Sequence, residues 1–451
     1  MKMYQIEKKY IFSIVGILLI MLLSVVYYVL KIIQHNNSLS SVNESISYLI
    51  TGDFDNFKDT EEEFDDQGPV YNYLISENEN QKKAIVNSIN TSAGFESLFT
   101  PNEKMCYNLI KSNCDNISND LSKTNLYSIE PITVRNCRLA PLQIKKVIYA
   151  IQHDNPDIFW ISNNFSYQYL GNSTILKLNS IFSKNDQKTA IETLSKKISE
   201  IISKVPSNAS EYEKELYIHN YIINHCKYNF ESNNPKIYTS YGCLVENKAV
   251  CEGYSKATQL LLNTIGIECR TVTGAKENEP HMWNIAKINN KWYHLDVTWD
   301  SSNEIGNHNY FNLNDEIIKK DHIINEESYG NIAPTDDKRY NFRLPKCNSM
   351  SENYYEKNAV KISKIDVAAD NLIIKKLINL SSKKEPYFYI KIEGNYENIR
   401  NQLISEKPYK LFKYFASSNK SNPKNKLNTS KLDYSENRSQ NVLIAKLSYV
   451  N

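Results

Sequence analysis

The chain of 451 residues has almost no charge of one sign to spare: 53 lysines and arginines stand against 51 aspartates and glutamates, for a formal net charge of +2. That balance removes the global electrostatic footprint of a nucleic-acid binder, and no basic patch with interleaved aromatics stands out either. Metal-binding spacings are also missing, since CxxC, HxxxH and HExxH occur nowhere. The acidic stretch DFDNFKDTEEEFDDQG clusters Asp53, Asp55 and Asn56 but lacks the EF-hand spacing and its central glycine, so it reads as a solvated stalk. No metal or other cofactor is expected, and nucleic acid is not an expected partner.

One long apolar run is present. Ile11 to Leu30 is twenty residues without a charge, enough at 1.5 Å per residue to cross a hydrocarbon core of ~30 Å. Lys2, Lys8 and Lys9 precede it and Lys31 follows, so the positive-inside rule puts the short amino end in the cytoplasm and the remainder outside. A cleaved signal peptide is the competing reading; the apolar stretch is too long for one, and no small-x-small site follows. The expectation is a single-pass membrane protein with its other domains extracytoplasmic. The segments are 1–9 (cytoplasmic end), 10–33 (signal anchor), 34–100 (polar acidic stalk), 101–209 (a lead-in of helical and extended patterns), 210–330 (catalytic core) and 331–451 (a small carboxy-terminal module).

Within the lead-in, KTAIETLSKKISEIISKV is an amphipathic helix with Ile191, Leu194, Ile198 and Ile201 or Ile202 on one face. In the last module KISKIDVA, NLIIKKLINL and PYFYIKIEG read as strands. The polar run SSNKSNPKNKLNTSKLDYSENRSQ reads as one flexible loop before a final strand, NVLIAKLSYV.

Cys251, His281 and Asp296 carry the chemistry. They fall in that order inside AVCEGYS, HMWNIAKI and WYHLDVTWD. A thiol at neutral pH is mostly protonated, so a nucleophilic cysteine needs an adjacent imidazole and a carboxylate to fix that imidazole's tautomer. CEGYSKATQLLLNTI has helical periodicity with Gly266 as its stop, which places Cys251 in the first turn. There the unpaired backbone N–H groups and the helix dipole favour a thiolate and offer donors to an oxyanion. Val250 and Ala249 are poor caps and leave those donors open.

HMWNIAKI and KWYHLDVTW read as two strands joined at Asn289-Asn290. A two-residue turn sets Ile288 opposite Lys291, Trp283 opposite Asp296 and His281 opposite Thr298. His281 and Asp296 are then diagonal neighbours on one face, whereas a three-residue loop puts them on opposite faces. Tyr241, Tyr254, Trp283 and Trp299 are weaker pocket or oxyanion candidates, with core packing as the competing role of the tryptophans. His294 alternates onto the face of Asp296 and is the strongest decoy for His281.

YGCLVENKAVCEGYSKATQLLLNTIGIECRTVTG, HMWN, KWYHLDVTWD and YFNLNDEIIKKDH, taken in order, resemble the bacterial transglutaminase-like (transglutaminase/protease-like) superfamily over about residues 210–325. The resemblance implies an α+β, papain/transglutaminase-like core: a helix bearing the cysteine packed on an antiparallel sheet bearing the histidine and aspartate. It implies Cys251 as nucleophile, His281 as general base and acid, and Asp296 as orienter. The segment from Pro141 through HDNPDIFW to EYEKELYIHNYI resembles what precedes the core in bacterial members. Members often carry Asp where this chain has Asn220.

The expected activity is that of a cysteine-dependent acyl transferase or hydrolase acting on amide or peptide bonds through a thioester, with protein or envelope peptides as substrate. A non-catalytic envelope module that retained the fold for binding or assembly is the alternative. Eight cysteines (106, 114, 137, 226, 243, 251, 269 and 347) leave an odd seven once Cys251 is set aside, so some stay free or the surroundings are reducing. Oligomeric state is not legible.

Overall fold

The computed structural model describes residues 92–121, 125–230, 234–277, 279–302, 305, 307–324, 344–407 and 409–450. The expected cytoplasmic end, membrane anchor and most of the stalk lie outside those residues. Among the described residues no helix is long and apolar enough to cross a membrane. All of the described residues except 164–168 fall in one compact unit.

The fold is mixed α+β. The lead-in opens with α1 (Ala93–Ser97), α2 (Pro101–Asn113), β1 (Ile117–Leu121), β2 (Tyr127–Ile129) and β3 (Ile132–Val134). It continues through α3 (Pro141–Asp154), β4 (Ile161–Leu170), β5 (Ser173–Ser180) and α4 (Lys184–Ile202). Strands run antiparallel in the order β1-β2-β5-β3. Helix α4 is the amphipathic segment read from the sequence, with Leu194, Ile198 and Ile201 buried and Ile191 only partly so.

The core follows: α5 (Glu211–His225), β6 (Lys227–Tyr228), α6 (Ser240–Leu244), β7 (Lys248–Ala249) and α7 (Cys251–Thr264). After these come β8 (Cys269–Lys276), β9 (Glu279–Ile288), β10 (Lys291–Leu295), α8 (Val297–Ser301), β11 (Phe311–Leu313), α9 (Asp315–Ile318) and β12 (His322–Ile324). The sheet is antiparallel in the order β11-β10-β9-β8-β12. Helix α7 packs on β8 and β9, burying Leu260, Leu261 and Leu262.

The β9–β10 turn is the two-residue turn that the triad requires. Asn289 and Asn290 sit at φ 48° and 60°, Ile288 pairs with Lys291, and Asn284 pairs with Leu295. One expectation fails here. The ladder ends at Leu295, so Asp296, Thr298 and Trp299 do not lie on a strand, and neither the Trp283–Asp296 pair nor the His281–Thr298 pair forms. Asp296 instead caps the start of α8, its carboxylate accepting from Trp299 N–H at 3.1 Å. An aspartate in this position favours a new helix over strand continuation because it satisfies one of the helix's unpaired donors.

The last module contains α10 (Tyr354–Asn358), β13 (Val360–Ile362), α11 (Val367–Ser382), β14 (Tyr387–Ile392), α12 (Tyr396–Arg400) and α13 (Lys410–Ser421). Strands β15 (Lys426–Leu427), β16 (Asp433–Asn437), β17 (Val442–Lys446) and β18 (Tyr449–Val450) complete it. Its sheet runs β13-β14-β17-β16, with β13 parallel to β14. NLIIKKLINL, read as a strand, lies in helix α11. Its buried residues Ala369, Ile373 and Leu377 recur every four positions, a helical period that the dense apolar run hides. The polar run read as one loop holds the end of α13, β15 and β16.

Gly274, on β8, lies opposite His281 on β9 and opposite Ile324 on β12. A Cβ there would come within 1.9 Å of the Ile323 carbonyl oxygen and 2.8 Å of the Trp283 ring. Gly274→Ala is therefore expected to strain or break the β8–β12 pairing and to cost about 1–3 kcal/mol, as overpacking does. Thermal melts followed by circular dichroism check this; an unchanged midpoint contradicts the close approach.

Candidate active site

Cys251 is the first residue of α7 and is partly exposed, whereas the other seven cysteines are buried; all eight are free thiols. The helix cap at Val250 supplies no side-chain hydrogen bond, so no side chain occupies the donors at the helix start. Two contacts set the helix in place. Gly253 lets the first turn approach the Pro235–Tyr238 turn, where a Cβ would lie 2.4 Å from the Ile237 carbonyl oxygen. Ser255 Oγ lies 2.8 Å from the Cys251 carbonyl and 2.9 Å from that of Met282, tying the nucleophile's turn to the residue after His281.

His281 reaches Asp296 through Nε2, 2.7 Å from Oδ2, and the Cys251 thiol lies near enough to its ring to raise its basicity. With Nε2 given to the carboxylate, Nδ1 is the nitrogen that serves the thiol. The Trp283 ring stacks on the imidazole at 5.8 Å and 14°. Burial would lower the basicity of His281, but Asp296 and Cys251 outweigh it and push the imidazole up to about 10. Asp296 has no exposed surface. Burial would raise its carboxyl, yet the His281 and His322 imidazoles hold it well below the usual carboxylate range.

His322, which the sequence reading did not single out, is the second imidazole on that carboxylate, with Nε2 3.0 Å from the same Oδ2. Its Nδ1 lies 2.6 Å from Asp321 Oδ1. Asp321 in turn takes Lys276 Nζ at 2.5 Å and the Tyr310 hydroxyl at 2.7 Å on Oδ2. Burial would raise the Asp321 carboxyl, but His322, Lys276 and Tyr310 bring it down to about 2. The adjacent pair Asp321-His322 closes the block YFNLNDEIIKKDH and was the available signal.

Elsewhere the candidates take other partners. Trp283 is buried and donates Nε1–H to His294 Nδ1 at 3.0 Å, and His294 Nε2 faces Asp315 at 2.9 Å. Trp299 is carried on α8, with Lys276 Nζ 4.3 Å from its ring centroid. Tyr254 is buried and its hydroxyl donates to the Cys226 carbonyl at 2.8 Å. Tyr241 stacks on Phe159 at 5.4 Å and meets Phe182 edge-on. Asn220 accepts from His308 Nε2 at 2.9 Å, beside a second buried pair, His219 and Asp300, at 3.0 Å.

Among the described residues, two sets of donor atoms lie close enough to share an ion: His281, Asp296 and His322, and His294, Asp315 and Cys347. In the first set both Nε2 atoms are committed to Asp296. In the second, the Trp283 N–H on His294 Nδ1 keeps the ring's proton on Nε2, which removes the lone pair a metal would use.

Residues 199–297 match the transglutaminase-like superfamily, a span that contains Cys251, His281 and Asp296 and ends short of His322. No curated protein matches in sequence. Among solved structures, the chain is similar to one described as a TGase, with 19% identity over 30% of this chain and 44% of the other at a TM-score of 0.21. It is also similar to an inferred cysteine protease from Cytophaga hutchinsonii, with 16% identity, 30% and 61% coverage and a TM-score of 0.21. An inferred protease from Parabacteroides distasonis gives 10% identity, 29% and 35% coverage and a TM-score of 0.20. The chain spans less than two-thirds of the length of each of these.

Because folding raises the His281 imidazole, its contribution to stability is full below the ordinary value of 6.5 and is lost as pH rises through about 10. The unfolding free energy should therefore decline across that window, and Asp296→Asn should flatten the decline while lowering stability at neutral pH. Urea melts at a series of pH values read this out; an equal slope in the variant contradicts the coupling.

Proposed function

We propose that this protein is a thiol enzyme that opens amide or peptide bonds through a thioester on Cys251. The observation that carries the reading is one imidazole, His281, hydrogen-bonded to a buried carboxylate and placed beside a partly exposed thiol at a helix start, which raises its basicity. His281 takes the thiol proton on Nδ1, and the sulfur attacks the carbonyl carbon. The oxyanion faces the uncapped N–H groups at the start of α7. Collapse of the tetrahedral adduct breaks the C–N bond, and the departing amine leaves with the proton from His281. Water or a second amine then attacks the thioester and returns a proton through His281 to the sulfur, releasing an acid or a new amide.

Water as acceptor makes the protein a peptidase or amidase, and a lysine-like amine makes it a cross-linking transglutaminase. In this reading residues 10–33 anchor the chain in the membrane, supported by the twenty uncharged apolar residues from Ile11 to Leu30. The catalytic part then faces protein or peptide substrates at the cell envelope.

Alkylation by iodoacetamide, with the modified residue located by peptide mass spectrometry, tests the nucleophile. Cys251 should react at pH 6.5 at a rate that falls roughly 100-fold in His281→Ala, within the range of general-base contributions. Labelling no faster than that of a free thiol would sink the reading. A glutamine-containing protein offered with a fluorescent primary amine then separates the outcomes: incorporation marks cross-linking, and cleavage or ammonia release alone marks hydrolysis.

A further inference from the structure

The reaction just described asks His281 to lose its charge once in every turnover. When its proton leaves with the amine, the ring still donates Nε2–H to Asp296 but no longer carries a positive charge. Asp296 has no exposed surface, and a buried carboxylate without a counter-charge is costly. Its remaining contacts are the Trp299 N–H on Oδ1 at 3.1 Å and His322 Nε2 on Oδ2 at 3.0 Å.

We infer that His322 is the permanent counter-ion of Asp296, a positioning residue that keeps the buried carboxylate charged and aimed while His281 gains and loses its proton. The inference rests on the thiol-enzyme reading for the cycling of His281, and on geometry for the rest. Both ring nitrogens of His322 face carboxylate oxygens, Asp296 Oδ2 at 3.0 Å and Asp321 Oδ1 at 2.6 Å. An ionised carboxylate only accepts, so both nitrogens donate and the ring is an imidazolium. Its side chain is fully buried, which shuts out water as a substitute partner. Asp321 is itself balanced by Lys276 at 2.5 Å.

The charges therefore alternate along one line: the Cys251 thiolate, the His281 imidazolium, Asp296, His322, Asp321 and Lys276. Among the described residues, the groups that face His322 fit this line or are neutral. The His281 ring lies at 5.7 Å, Trp283 meets it edge-on at 5.0 Å and Tyr310 at 5.4 Å. His294, the remaining titratable neighbour, is driven toward its neutral form, chiefly by burial. A second effect follows. Positive charge on His322 offsets part of the pull of Asp296 on the His281 proton, so His281 can give that proton to a leaving amine. With Asp296 alone the proton would be held more tightly.

A purely structural brace, tying edge strand β12 to the sheet, would use the same hydrogen bonds without the charge. His322→Gln separates the two roles, because the amide keeps an N–H donor and drops the cation. Nitrogen-15 histidine NMR of the full chain carrying Cys251→Ala reads the His281 titration without interference from the thiol, with His281→Ala supplying the assignment. His322→Gln should raise the His281 midpoint by about one pH unit or more, the size expected when a close cation is removed. In the parent protein at neutral pH, both ring nitrogens of His322 should carry a proton.

A folded His322→Gln with an unmoved or lowered midpoint overturns the inference. So does a His322 ring with one bare nitrogen at neutral pH, a measurement that needs no variant to fold. Ordinary alkylation kinetics at Cys251 would instead sink the thiol-enzyme reading, and both titrations could still be read.

Discussion

A carboxylate with no exposed surface has to be matched by charge from its neighbours, and at Asp296 that requirement organises the whole site. One oxygen caps helix α8 through the Trp299 N–H, and the other accepts from two imidazoles. Asp296 thus fixes the direction of α8, the tautomer of His281 and the placement of His322 at once. Each of these partners belongs to a different element, so the carboxylate is also a packing centre. Remove it and a helix cap, the anchor of the His281 imidazole and the tie to an edge strand are lost together.

The backbone delivers the groups to that point through close approaches that leave little room for change. The two-asparagine turn holds β9 and β10 in even register, which keeps His281 on the face that Asp296 enters. Gly274 lets β12 come close enough for His322 to reach the same carboxylate. Ser255 and Gly253 hold the start of α7 against β9 and the preceding turn, which brings a partly exposed thiol beside a buried imidazole. The opposite end of the relay, at Asp321, is partly open to solvent. The hydrogen-bonded line therefore runs from His281 through a dry interior that also buries Lys276, and it reaches solvent at Asp321.

The mixed α+β core, the helix that begins at Cys251 and the hairpin parity were all legible because each rests on a local signal: a helical period with a glycine stop, or a pair of turn residues between strands. The end of β10 was not, since LDVTWD alternates well enough to pass as strand and only the capping geometry shows that Asp296 starts a helix. Helix α11 was missed for a related reason: apolar residues are so dense in NLIIKKLINL that strand and helix periods fit alike, and packing decides between them. His322 was hidden by distance along the chain. It meets Asp296 across 26 residues, and nothing in Asp321-His322 as a dipeptide announces a shared carboxylate. The family match shares that blind spot, since it ends at residue 297.

These features set a partly exposed thiol at a helix start beside an imidazole that a buried carboxylate holds from behind. The most direct test is the absorbance of thiolate near 240 nm, taken as the difference between the protein and Cys251→Ala across pH. The account predicts that the thiolate signal at neutral pH depends on the neighbouring imidazole and is lost in His281→Ala. A thiolate signal that rises only above about pH 8, alike in both proteins, would contradict it.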